Sequence, residues 1–194
     1  MGKYKLTGGL GYIFMIIPVL NFLGAILISF AWYSLGSREQ SKLFKLNGLL
    51  PILCIMILFG GYALLQPYLS ILASGGMAPY ILLIGSFTWS AAMLAVLASY
   101  FIVDVYSHVK ASKKFEIKWF KYAGGMRISF LIFLILTAVL LSILSQGVDP
   151  LKMGLEAFID HFYPALATML ISLLSLVFGF ICSAISFFLL DKKR

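Results

Sequence analysis

The sequence predicts an all-α protein, a polytopic transmembrane helical bundle, on three observations. Of 194 residues, 62% are hydrophobic and 11% charged, with a mean hydropathy of +1.03, whereas a soluble domain carries about 25% charged residues. The apolar residues gather in five long runs, each close to or above the roughly 20 residues that cross a hydrocarbon core of about 30 Å. The charges stand between the runs, where a bilayer tolerates them. An ordinary water-soluble globule is excluded.

The first segment covers residues 8–35, and its middle reads Ile16-Ile17-Pro18-Val19-Leu20-Asn21-Phe22. As one helix it would be about 42 Å long, more than a bilayer needs. Pro18 and Asn21 are candidate hinge residues, because proline removes a helical hydrogen bond and its ring collides with the preceding turn. Two forms are open: one tilted, kinked helix, or a hairpin with arms 8–19 and 20–35 that enters and leaves on the same side, for six helices in all. The run is about twice a signal-peptide core and has no small-x-small cleavage site, so it is expected to be retained. Leu6 stands where a myristoylation motif wants Ser or Thr.

The second segment, 49–73, contains Gln66-Pro67, a polar interruption of the kind that breaks helices in transporters. Ser74-Gly75-Gly76-Met77-Ala78-Pro79 is a chargeless turn that pairs it with the third segment, 80–103, as an antiparallel hairpin. The fourth segment is 128–145 and the fifth 164–190. Before the fifth, Asp149-Pro150 reads as a helix opening, with Asp as N-cap and Pro in the first turn. Leu151, Leu155, Phe158, Ile159 and Phe162 then share a face opposite Lys152, Glu156 and Asp160. That pattern predicts a short amphipathic interfacial helix over about 150–162, with Tyr163-Pro164 turning the chain into the membrane.

Orientation follows from counting basic residues near the segment ends. With one N-terminal helix, 12 of the 15 Lys and Arg face the cytoplasm and 3 the outside; with the hairpin the division is 14 to 1. The chain is expected in the cell membrane as a multi-pass protein with its C-terminus cytoplasmic, and on the hairpin reading its N-terminus too. Between the third and fourth segments, Lys110, Lys113, Lys114, Lys118, Lys121 and Arg127 alternate with Phe115, Trp119, Phe120 and Tyr122. Lysine beside aromatics is the pattern of a segment in the headgroup layer, each Lys gaining about 1 kcal/mol near anionic lipid. The expected partner is therefore a bilayer with anionic headgroups on its cytoplasmic face, not a nucleic acid.

The N-terminal pattern Gly8-Gly9-Leu10-Gly11, Ile17-Pro18, Phe22-Leu23-Gly24 and Ile26-Leu27-Ile28, followed by Lys42-Leu43-Phe44-Lys45-Leu46-Asn47, resembles a family of small, functionally uncharacterised archaeal and bacterial multi-pass membrane proteins. The resemblance covers about the first quarter of the chain. It implies a class and no activity, and it transfers no functional residue.

Helices in lipid associate through close van der Waals contact, which small residues permit. The third segment carries Gly85, Thr88, Ala92, Ala95 and Ser99, and the fifth Thr168, Ser172, Ser175, Gly179, Cys182 and Ser186, both at alternating spacings of three and four. These are seams of period 3.5, suited to left-handed helix packing. In a functional reading the hydroxyls of the fifth segment line a polar pathway. Cys54 and Cys182 sit in apolar surroundings, where a thiol acts as a small hydrophobe.

Little remains for chemistry. Asp104, at the end of the third segment, fits an interfacial carboxylate paired with a nearby Lys, or a proton or ion site. Asp160-His161 offers two adjacent ligands with no third. No paired carboxylates, nucleophile set, phosphate-binding loop or CxxC occurs in the sequence. The expectation is thus a non-enzymatic membrane protein with no cofactor, a structural or accessory component that joins other membrane subunits or copies of itself. Alternatives are a small oligomeric transporter or channel, with Pro18, Asn21, Gln66, Pro67 and Asp104 as hinge or polar-pathway residues, and a membrane-shaping protein acting through the N-terminal hairpin.

Overall fold

The computed structural model describes residues 3–73, 80–146, 148 and 153–190. The described residues form six helices and no strand: α1 (Lys3–Ile16), α2 (Asn21–Arg38), α3 (Lys42–Ala73), α4 (Tyr80–Phe115), α5 (Lys118–Leu144) and α6 (Leu155–Leu189). This is the all-helical bundle the sequence predicts, but four helices, not five, are long and apolar enough to cross a membrane. They are Lys42–Ala63 within α3, Thr88–Phe115 within α4, and all of α5 and α6.

The difference arises in residues 8–35. Pro18 lacks an amide hydrogen, and the chain turns over Ile17–Leu20, closed by bonds from Ile17 N to Phe14 O (3.1 Å) and Leu20 N to Ile17 O (2.9 Å). The two arms are 14 and 18 residues long, about 21 and 27 Å, both short of the hydrocarbon thickness. The segment is therefore two helices rather than one kinked span.

Three other boundaries move. The helices predicted to begin at 49 and 128 begin at Lys42 and Lys118, and the one predicted to end at 103 runs to Phe115. The basic stretch 107–127 is thus two helix ends joined by a turn at Glu116 (φ 54°) and Ile117 (φ −102°, ψ 105°). A separate interfacial helix over 150–162 is not found. Residues 149–152, which carry its predicted opening, lie outside the described residues, and from Leu155 one helix continues through Pro164 to Leu189. Packing supports the continuous helix there: Phe162 and Ala165 are 2% and 1% exposed, and His161 Nε2 bonds Leu144 O at 2.9 Å. Pro51 and Pro67 likewise lie inside α3 without ending it, as helix-breaking residues do in a membrane when neighbouring groups compensate the lost bond. The turn predicted at 74–79 lies outside the described residues.

The chain divides into two compact units, residues 1–107 and 108–194, with the boundary inside α4. In the first unit the helices approach through glycines. A Cβ on Gly24 would stand 2.8 Å from Gly11 O and from Met15 N, and one on Gly48 2.5 Å from Tyr33 N and 2.6 Å from Ser29 O. Such contacts let backbones touch and collect the small dispersion terms that hold helices together in lipid. Around them, Trp32 (0% exposed) donates from Nε1 to the Tyr12 hydroxyl at 2.8 Å and packs on Phe44 with ring centroids 5.3 Å apart. Trp89 lies against Gly60 and Gly61 and donates to Ile57 O at 2.8 Å.

In the second unit α5 packs along α6. Phe120 meets Phe187 edge to face at 5.6 Å, Ser172 Oγ donates to Phe130 O at 3.1 Å, and the Thr137 and Thr168 hydroxyls are 2.9 Å apart.

Replacing Gly48 by alanine is expected to lower stability by about 1–3 kcal/mol, the usual cost of overpacking. Gly125→Ala, where a Cβ meets nothing within 4 Å, is expected to be neutral or to stabilise by up to about 1 kcal/mol through helix propensity. Thermal unfolding of both variants in detergent checks this; equal melting temperatures would contradict the close approach.

Candidate functional site

Polar side chains are buried at one end of each unit, and each cluster is built on helices that outrun their apolar segments. In the first unit, Asn47 in the second turn of α3 donates from Nδ2 to Asp104 Oδ1 on α4 at 3.1 Å. Asn47 is 0% and Asp104 4% exposed. One partner of this carboxylate is thus an amide. Ser107, one turn further along α4, is fully buried, and its hydroxyl and the amide oxygen of Asn47 have no hydrogen-bond partner. Ser41 Oγ, at the start of α3, shares that condition.

In the second unit, Gly179 O is the centre of a buried network. It accepts from Ser183 Oγ at 2.9 Å and from an Arg127 guanidinium nitrogen at 3.4 Å; the same nitrogen donates to Ala123 O at 3.0 Å. Because Ser183 gives its single proton to Gly179 O, His108 Nε2, 3.0 Å from Ser183 Oγ, acts as the donor of that pair, which assigns the Nε2–H tautomer. The His108 ring is 0% exposed and meets Phe120 at 5.8 Å. Arg127 is 4% exposed, its guanidinium 5.9 Å from the Phe180 ring centroid. It therefore lies buried in the α5–α6 interface. In a low-dielectric interior such a network rigidifies when satisfied and is costly when broken.

Lys110, Lys113, Lys114, Lys118 and Lys121 are all exposed around the α4–α5 turn. Trp119 and Tyr122 are exposed beside them, their rings 5.9 Å apart. Ile117 and Phe120, 5% and 0% exposed, root the turn in the second unit. Phe115 packs on Phe120 at 6.5 Å, apart from the Trp119–Tyr122 face. Lys113 and Lys114 end α4, where positive charge complements the helix dipole; Lys118 and Lys121 open α5, where it opposes it.

The seam residues of α6 have different surroundings. Ser172, Gly179, Cys182 and Ser186 are buried; Thr168 and Ser175 are partly exposed. Ser175 and Ser186 bond carbonyls of their own helix, Ile171 O and Cys182 O. On α4, Thr88, Ala92, Ala95 and Ser99 are all exposed, and the surroundings of Gly85 lie outside the described residues.

Pro18 and Asn21 stand at the α1–α2 turn. Asn21 lines an apolar cavity of about 560 Å³ with Met15, Phe22, Ile55, Phe59 and Tyr62. Gln66 and Pro67 are exposed on the unbroken α3. Cys54 and Cys182 are buried free thiols. Among the described residues, no group of three His, Cys, Asp or Glu could hold a metal ion. The sequence draws attention to His108, which follows Asp104 at the end of the third segment, but not to Asn47, Ser183, Trp32 or Tyr12 as site residues; the signal for these was a polar-tipped side chain in or beside an apolar run.

No family model, curated protein or solved structure matches this chain.

Ser183→Ala removes the oxygen that His108 Nε2 faces, and is expected to cost about 1–3 kcal/mol, the penalty of a stranded buried donor. Ser175→Ala, on an exposed hydroxyl bonded to its own helix, is expected to stay within about 0.5 kcal/mol. Melting temperatures of the two variants in one detergent decide it; an equal loss would show that the network adds nothing.

Proposed function

We propose that the protein is a non-enzymatic integral membrane protein, a structural or accessory component of a larger membrane assembly. The observation that carries this reading is the position of the α1–α2 turn along α3. Phe22 meets Phe59 edge to face, ring centroids 6.1 Å apart, which fixes the top of α2 against the middle of α3. Beyond Phe59, α3 continues to Ala73, about another 21 Å. We place the hydrocarbon over the distal part of α3, extending past the Lys42–Ala63 window and as far as Ala73, and the turn at residues 17–20 then stops inside it.

A turn there is expensive. Leu20 caps α2 without a side-chain bond, so the first amides of that helix lack the partners a cap would supply. Val19 is 88% exposed and Ile17 43%. Irregular backbone persists at membrane depth only where protein or water covers it. A covering subunit meets that need. The exposed small-residue face of α4 offers a second surface suited to close helix contact.

In this reading the protein sits in the cell membrane with both termini on the cytoplasmic side. The lysines of the α4–α5 turn, with Trp119 and Tyr122, contact anionic headgroups, and they help set the orientation. No cofactor and no nucleic acid enter.

Extraction from native membranes in mild detergent, followed by mass measurement of the intact complex, is expected to give a stable assembly with other membrane subunits. A lone homo-oligomer that moves solute across liposome membranes would replace this reading with a small transporter. A monomer inactive in liposomes would refute both.

A further inference from the structure

We draw no further inference here: the strongest candidate, the apolar cavity of about 560 Å³ beside the α1–α2 turn, walled by Met15, Phe22, Ala25, Ile55, Phe59 and Tyr62, carries nothing because nothing in the structure shows what fills or covers it.

Discussion

Backbone amides and carbonyls must find partners inside the chain wherever water is absent, and the rest of this structure depends on that constraint. It explains why every described apolar segment is helical, and why α3 and α6 pass through prolines without ending. It also explains where the chain turns. The α4–α5 turn, with its positive φ at Glu116, carries five exposed lysines within twelve residues of chain, a composition suited to a polar layer. On the proposed reading the α1–α2 turn is the exception, and for that reason it is the element on which that reading rests.

Packing follows from the same solvent. Apolar burial gains little when lipid is as apolar as leucine, so contact distance decides which helices adhere. Glycines at positions 11, 24, 36 and 48 bring α1, α2 and α3 together, and the α5–α6 pair closes with Ser172, Gly179 and the Thr137–Thr168 contact. Hydroxyls within the apolar runs, such as Ser29, Ser99, Ser175 and Ser186, return to carbonyls of their own helices. This satisfies them locally and spares the bundle a polar seam. Two buried polar pairs that join different helices, Asn47 with Asp104 and His108 with Ser183, lie toward helix ends, whereas Trp32–Tyr12, Ser172–Phe130 O and Thr137–Thr168 join helices within the apolar runs.

The fold class was legible because composition and run length are governed by the bilayer. The break at Pro18 was legible as an alternative, since a missing amide hydrogen is a property of one residue. Helix ends were less so: charged, aromatic sequence at 104–127 satisfies both an interfacial segment and two protruding helix ends, and only packing of Ile117 and Phe120 selects the latter. Arg127 shows the same limit. A basic residue at the end of a run of lysines reads as a headgroup ligand, yet its partners, Ala123 O and Gly179 O, are carbonyls that any sequence could supply. Glycine at 48 could not be distinguished from the other glycines without knowing that Tyr33 N would meet its Cβ. The Asn47–Asp104 pair joins residues 57 positions apart, and no local pattern encodes that distance.

The central claim is that the α1–α2 turn ends inside the hydrocarbon and is covered there by protein. It is tested most directly by placing a photo-activated crosslinker at Val19 and irradiating native membranes. The account expects a single crosslinked product of discrete mass that contains a second polypeptide, with the yield lost when the label is moved to an exposed lysine such as Lys113. Adducts to lipid alone, or a label at Val19 that a membrane-impermeant quencher reaches from the aqueous phase, would contradict it.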